Sequence, residues 1–158
     1  MSNTVWRIRD AELRDAAELA VLMSELDYET QTQDMEMRLK SILSNRAFKT
    51  FVATVDGRVC GMIGMFTYAS YEHNDPGARI VALVTLSTAR RRGIGRALIA
   101  AAEEDLAQKG ITRVSLNTSF ARKGAHKFYE SLGYKRNGWR FMKQLAVSAS
   151  SRHSTMDR

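Results

Sequence analysis

An apolar run that leads directly into a turn of arginines and glycines limits the fold of this chain more than any other segment. Residues 80–86 read Ile-Val-Ala-Leu-Val-Thr-Leu, and residues 90–96 read Arg-Arg-Arg-Gly-Ile-Gly-Arg. So continuous an apolar run is typical of a strand buried on both faces of a sheet. Apolar residues then recur at a helical spacing as far as Leu106, and Gly110 ends that pattern. The sequence therefore predicts a central strand, a tight turn and a helix in succession.

The residues before this junction predict a strand, two helices and a hairpin. Apolar and polar residues alternate over residues 5–9, as in a half-buried strand. Asp15 is an N-cap candidate with Glu18 at the third helical position, and a second helical pattern covers residues 35–43. Asp56-Gly57 separates two apolar segments, which is a strong signal for a two-residue hairpin turn.

The residues after the junction complete the predicted order. We expect a strand at residues 111–117, a helix at residues 123–132 closed by Gly133, and a final strand or hairpin at residues 134–145, bent near Gly138. The order is β-α-α-β-β-β-α-β-α-β. It predicts an α/β fold with a mixed, mostly antiparallel sheet and helices on both of its faces.

Composition bears on the number of domains and on the compartment. Hydrophobic residues make up 44% of the chain and charged residues 26%, as in an ordinary globular domain. We expect one domain over residues 1–146 and a flexible, serine-rich tail over residues 147–158.

Cys60 is the only cysteine, which excludes an intrachain disulfide and fits a reducing compartment. No stretch approaches the ~20 apolar residues that span a bilayer, so we expect a cytoplasmic protein without a membrane partner.

The net charge of +7 raises the hypothesis of a nucleic-acid partner. Four of the arginines, however, lie within residues 90–96, and aromatic residues are not interleaved with the other basic residues as stacking platforms would be. The charge is therefore better explained by one phosphate site than by a nucleic-acid surface.

The arginine and glycine turn combines several features that favour anion binding. The first N–H groups of a helix lack intrahelical partners, and the helix dipole adds positive potential there. Gly93 and Gly95 allow close backbone approach, and the arginines offer planar, charge-assisted donors. A Walker-type site would need Lys-Ser or Lys-Thr where this chain has Arg96-Ala97, and the longer dinucleotide fingerprint is also missing. The turn is thus predicted to bind a pyrophosphate.

At this point a family resemblance becomes specific. Residues 90–95 match the Arg/Gln-x-x-Gly-x-Gly/Ala signature of the GNAT acetyltransferases, and residues 128–134, Phe-Tyr-Glu-Ser-Leu-Gly-Tyr, look like that family's second motif. The resemblance extends over residues 5–145. It implies a sheet that splays between the fourth and fifth strands and an enzyme that moves acetyl from acetyl-CoA to a primary amine.

The resemblance also implies roles for individual residues. The backbone of the splayed strand, at Leu83, Val84 and Thr85, would bond the pantetheine arm, and Tyr129 would act as general acid toward the departing thiolate. A phenol, with an ordinary pKa of about 10, is protonated at neutral pH and suits that role. The pyrophosphate would be bound by Arg90, Arg91, Arg92, Gly93, Ile94, Gly95 and Arg96.

The chain departs from the family pattern at two positions. Ala82 stands where many relatives have a carboxylate that helps to deprotonate the amine, and Arg122 stands where an asparagine is frequent.

Cys60 is expected to be a small buried hydrophobe, which favours direct transfer over an acetyl-cysteine intermediate, and no metal site is predicted.

The acceptor is open at this stage. The acidic stretch at residues 25–29 favours a small cationic molecule or a peptide amine. A non-catalytic acyl-CoA-binding domain and a basic nucleic-acid-binding module are the alternatives. Many relatives are dimers, so a homodimer also stays open. The candidate acceptor-site residues are Glu25, Asp27, Tyr28, Glu72 and His73.

Overall fold

The computed structural model describes residues 5–118 and 123–147. The backbone forms two compact units, Met1–Ala121 and Arg122–Arg158. Whether the chain is one functional domain over residues 1–146 stays a prediction, and the predicted tail beyond Val147 lies outside the described residues.

The first unit is built on a five-stranded sheet. In their order across the sheet, the strands are β1 (Trp6–Asp10), β2 (Phe48–Val55), β3 (Arg58–Tyr68), β4 (Gly77–Thr85) and β5 (Val114–Leu116). Strands β1 to β4 pair antiparallel with one another, and β5 runs parallel to β4. The mixed, mostly antiparallel sheet is thus confirmed.

The predicted hairpin joins β2 to β3. Asp56 has φ 51° and Gly57 has φ 79°. Positive φ at both central residues is the type I′ pattern, whose twist matches that of two antiparallel strands. The local signal in the sequence therefore determined this turn.

In the part of the chain that the structure describes, the α-helices are α1 (Ala16–Glu25), α2 (Thr32–Leu43) and α3 (Ile94–Gln108) in the first unit, and α4 (Lys123–Ser131) in the second. Two short 3-10 turns at Leu13–Asp15 and Ser87–Ala89 had no sequence signal. Among the helices of the described residues, none combines the length and apolar character needed to cross a membrane.

The helices of the first unit cover both faces of the sheet, as predicted. Leu19, Leu22 and Leu39 of α1 and α2 form a buried cluster with Val52 and Met62. Gly61 lies beside Met62 on β3 and points to the opposite face, because successive residues of a strand alternate. A Cβ at Gly61 would lie 3.2 Å from side-chain atoms of two α3 residues, Ile94 and Leu98. α3 therefore packs on the face opposite α1 and α2.

The predicted N-cap pair of α1 forms different contacts from those expected. Helix α1 begins after Asp15, but the Asp15 side chain makes no cap hydrogen bond. Its carboxylate instead accepts two hydrogen bonds of 2.8 Å from Arg9 and one from the Glu12 N–H. Glu18 accepts a 2.7 Å hydrogen bond from the Val59 N–H on β3. Asp15 thus pairs with a charged guanidinium, and Glu18 pairs with a backbone N–H of another element, β3.

The predicted final strand at residues 134–145 is wrong for this structure. No strand is assigned anywhere in residues 134–147, and the strand expected at residues 111–117 is reduced to β5. Apolar and aromatic residues supply only a strand propensity, because a strand also needs the backbone groups of a paired neighbour. Trp139 and Phe141 are accordingly 75% and 93% exposed.

Candidate functional site

Strand β4 separates from β5 partway along its length. The parallel pairing covers only residues 78–80 of β4, opposite residues 114–116 of β5, whereas β4 continues to Thr85. The register between β3 and β4 also shifts after Ile80, so that Val81 is an extra residue in β4. Such a bulge bends a strand and increases its twist. It coincides with the point where the β5 ladder ends, and it opens the edge of β4 beyond it.

Two residues of β4 direct backbone groups to that open edge. The Leu86 N–H donates a 2.8 Å hydrogen bond to the Cys60 carbonyl of β3. Backbone groups alternate between the two edges of an antiparallel strand, so Val84 also faces β3. Leu83 and Thr85 therefore present their N–H and C=O groups to the side where, within the described residues, β5 no longer pairs.

The N-terminus of α3 lies near the end of β4, since Ile94 packs on Gly61, which pairs with Thr85. Gly93 is its N-cap, with φ 79° and no capping side chain. The first helical hydrogen bond runs from the Ala97 N–H to the Gly93 carbonyl at 3.0 Å. The N–H groups of residues 94–96 precede that bond and point out of the first turn, where the helix dipole is positive. A Cβ at Gly93 would meet nothing within 4 Å, so the space in front of the turn is open.

The arginines of this turn are exposed, as an anion site requires. Arg90, Arg91, Arg92 and Arg96 all have exposed side chains. Arg91 has φ 65°, in the left-handed region that non-glycine residues seldom adopt. The turn thus concentrates four guanidinium groups and a strained backbone at one helix end.

The turn is held in place by packing that the sequence did not reveal. Ile94 and Leu98 of α3 are almost fully buried. Gly61 allows this close approach, since any side chain there would also crowd the Val84 carbonyl at 3.2 Å. A glycine within an apolar strand was the only available signal, and it is not specific.

Glu25 lies beside the arginine turn rather than apart from it. Its carboxylate accepts a 3.2 Å hydrogen bond from the Ser87 hydroxyl and lies 3.8 Å from a guanidinium nitrogen of Arg90. The other two candidates from this segment follow α1: Asp27 has φ 66° and Tyr28 is 68% exposed. The structure therefore places Glu25, a predicted acceptor-site residue, beside Arg90 of the predicted cofactor turn.

Glu72 and His73 lie at the other end of β4. Both are exposed, and both backbone N–H groups donate 3.1 Å hydrogen bonds to the Ser70 hydroxyl. Asp75 attaches this connection to the segment before β5, where Thr112 donates to its carboxylate at 3.0 Å and lowers its pKa. β4 has nine residues, or roughly 25 Å at the usual rise. These two residues are thus separated from Glu25 by about the length of the strand.

Tyr129 belongs to α4 in the second unit. Its ring is half-buried and lies 5.4 Å from the ring of Phe128 and 6.1 Å, edge-on, from that of Tyr134. The Tyr134 N–H donates a 3.1 Å hydrogen bond to the Tyr129 carbonyl, and Gly133 has φ 92°. This is a common way to end a helix, and it holds the two tyrosine rings together. Arg122 lies outside the described residues.

Cys60 has the character expected of a buried hydrophobe. Burial raises the pKa of its thiol, and the sulfur lies 3.4 Å from the Ala53 carbonyl. A raised pKa disfavours the nucleophilic thiolate. Across the part of the chain that the structure describes, no three His, Cys, Asp or Glu residues are grouped so as to hold a metal ion.

Comparisons with known proteins agree on one family. A model described as the acetyltransferase (GNAT) family matches residues 11–134. The chain is 34% identical over 125 residues to the aminoalkylphosphonate N-acetyltransferase of Salmonella typhimurium, covering 79% of each chain. A GNAT family acetyltransferase structure from Staphylococcus aureus has a TM-score of 0.77 at 27% identity, covering 89% of this chain and 98% of that one. An aminoglycoside N-acetyltransferase solved in complex with CoA has a TM-score of 0.81 at 19% identity, covering 92% and 98%, and shares the fold.

Proposed function

Because this chain belongs to the acetyltransferase (GNAT) family, we propose that it transfers acetyl from acetyl-CoA to a primary amine by direct attack in a ternary complex. The observation that carries the proposal is the junction of β4 with α3. There an open strand edge, a set of outward N–H groups and four exposed arginines follow one another along the chain.

The turn at residues 90–96 supplies the donors that a pyrophosphate needs. The N–H groups of residues 94–96 and the helix dipole favour an anion at the start of α3. The arginines add charge-assisted hydrogen bonds whose planar geometry matches phosphate oxygens. Gly93 leaves the approach open.

The pantetheine arm would run along the open edge of β4. Leu83 and Thr85 offer it backbone donors and acceptors, much as a neighbouring strand would. An N–H group at this edge would also polarise the thioester carbonyl as negative charge develops on its oxygen. Tyr129 would donate a proton to the departing thiolate, which is the role that the family resemblance implies.

The amine must lose a proton before it attacks. An ordinary lysine-like amine, with a pKa of about 10.4, is protonated at neutral pH. Ala82 provides no carboxylate on β4. We therefore expect the proton to leave through water or through a group outside this strand.

For the acceptor we propose a small cationic amine or a peptide amine. The acidic residues around Glu25 and Asp27 support a cationic acceptor. The Salmonella relative is named for an aminoalkylphosphonate, which carries an acidic group beside its amine, and two neighbours by fold are aminoglycoside acetyltransferases. These names define a panel of amines to compare.

The proposal is tested by following CoA release from acetyl-CoA with four classes of acceptor. The panel contains an aminoglycoside, a polyamine, a peptide amine and an aminoalkylphosphonate. We expect binding of acetyl-CoA and a higher kcat/KM for the cationic amines. Lack of acetyl-CoA binding would refute the enzyme assignment, and a preference for the aminoalkylphosphonate would refute the cationic acceptor alone.

A further inference from the structure

Glu25 occupies a position where its charge is locally unfavourable. It is the last residue of α1, and no basic residue lies in the last turn of that helix. The aligned peptide dipoles make a helix C-terminus negative, which disfavours a carboxylate. The stabilising contacts come instead from Ser87 and Arg90, 62 and 65 residues along the chain. A residue that contradicts local preference and is held by a distant segment is a candidate for function.

The two contacts of Glu25 differ in kind. Ser87 donates a hydrogen bond of 3.2 Å to Oε1, whereas the Arg90 nitrogen lies 3.8 Å from Oε2. The second distance exceeds that of an N–H···O hydrogen bond, so this contact is an ion pair alone. The Arg90 side chain is also 58% exposed. Breaking the ion pair between Arg90 and Glu25 therefore costs little free energy, and Glu25 keeps its hydrogen bond with Ser87.

A diphosphate is the better partner for the same guanidinium. Arg90 is the first residue of the turn that would bind the pyrophosphate of CoA. Phosphate oxygens accept bidentate, charge-assisted hydrogen bonds from arginine, and the loose contact with Glu25 provides none. The carboxylate and the diphosphate consequently compete for one side chain.

We propose that Glu25 acts as a positioning residue that competes with the diphosphate of CoA for Arg90 and so weakens CoA binding. The inference rests on the proposed function, because it requires CoA at the turn. With CoA bound, Arg90 pairs with phosphate oxygens. When the product CoA leaves, the ion pair with Glu25 forms again and offsets part of the lost phosphate contact.

The substitution Glu25→Gln tests this proposal with little change of shape. The amide oxygen still accepts the Ser87 hydrogen bond, but the negative charge is gone. The dissociation constant of CoA is measured calorimetrically for the wild type, Glu25→Gln, Arg90→Gln and the double variant. We expect Glu25→Gln to tighten CoA binding about two- to five-fold, the range for an exposed ion pair. In the Arg90→Gln background the same change should have no effect.

Glu36→Gln serves as the matched control, since it removes one negative charge from an exposed position on α2. It should leave the CoA affinity unchanged. Equal tightening by Glu25→Gln and Glu36→Gln, or tightening that persists without Arg90, would show a general charge effect and overturn the proposal. Unchanged affinity in Glu25→Gln would overturn it as well. A wild type that bound no CoA would refute the proposed function and this inference together.

Discussion

The backbone conformation of single residues decides how the candidate cofactor turn can work. Gly93 and Gly110 flank α3, have φ values of 79° and 77°, and would each place a Cβ in open space. They lie at opposite ends of the helix. Positive potential and outward N–H groups occur at the Gly93 end alone.

Gly93→Val should abolish CoA binding, and Gly110→Val should not. Both substitutions force a β-branched residue into the left-handed region, which costs roughly 1–2 kcal/mol. Only the valine at residue 93 would cover the N–H groups at the start of α3. The measurement is the rise in melting temperature on adding CoA, compared between the two variants. Equal rises in melting temperature for the two variants would show that the diphosphate binds elsewhere.

Tyr129→Phe should lower kcat while leaving CoA affinity intact. If the phenol protonates the thiolate, losing it should reduce turnover by about 10²–10⁴-fold. Tyr68→Phe removes a phenol hydroxyl from β3 and is the control. Steady-state kinetics with acetyl-CoA and the best amine of the panel give the comparison. Full activity in Tyr129→Phe would contradict the general-acid role and would favour another proton donor.

Pairs of elements determine where the site forms. The first turn of α3 lies on β3 at a glycine, and β1 is tied to the start of α1 by the ion pair of Arg9 with Asp15. The first contact joins elements that are far apart in the sequence, and the second joins consecutive ones. Each can be weakened by a single substitution that has a matched control.

Gly61→Ala should destabilise the protein, whereas Gly64→Ala on the same strand should not. A Cβ at residue 61 would lie 3.2 Å from Ile94, Leu98 and the Val84 carbonyl, but at residue 64 the nearest atom is 3.8 Å away. Overpacking of this kind costs about 1–3 kcal/mol. Urea unfolding measures the loss, which should be within about 0.5 kcal/mol for Gly64→Ala. Gly61→Ala should also weaken CoA binding, because the first turn of α3 must shift. Equal stability of the two variants would contradict the close packing.

Asp15→Asn should remove stability at neutral pH but not in acid. Hydrogen bonds from Arg9 lower the pKa of Asp15 in the folded state. Its stabilising contribution is therefore present above the ordinary aspartate pKa of about 3.9 and is lost as the pH falls through the lowered value. Melting temperatures of both proteins between pH 6 and pH 3 should converge toward the acid end. Asp10→Asn, at the exposed pair with Lys49, should show little difference at any pH. A difference in melting temperature between the wild type and Asp15→Asn that stayed constant with pH would contradict this explanation.

At the scale of the whole molecule, the net charge of +7 sets the behaviour toward polyanions. We expect weak, non-specific association with DNA and RNA at physiological salt, with a dissociation constant of about 10⁻⁴–10⁻⁶ M and a steep loss as salt rises. Filter binding with one duplex and one single strand measures this. Tight binding that persisted at physiological salt would revive the nucleic-acid-binding alternative.

Local patterns in the sequence were sufficient for the hairpin and for the junction of β4 with α3. Asp56-Gly57 determined its hairpin, since both residues tolerate the φ values of a type I′ turn. The apolar run followed by residues 90–96 located the junction of β4 with α3, because strand period, turn chemistry and helix period are all readable from neighbouring residues. The same reasoning failed at residues 134–145, where a strand or hairpin was predicted but the structure has no strand.

Tertiary structure alone decided how the site is arranged. The bulge at Val81, the approach of α3 to Gly61 and the contact of Glu25 with Arg90 have no local signature. Each depends on which residues from distant parts of the chain meet. Glu25 and Ser87, for example, are 62 residues apart. Periodicity depends on the conformational preferences of residues that are neighbours along the chain. The arrangement of the site depends instead on which surfaces of the folded elements pack together.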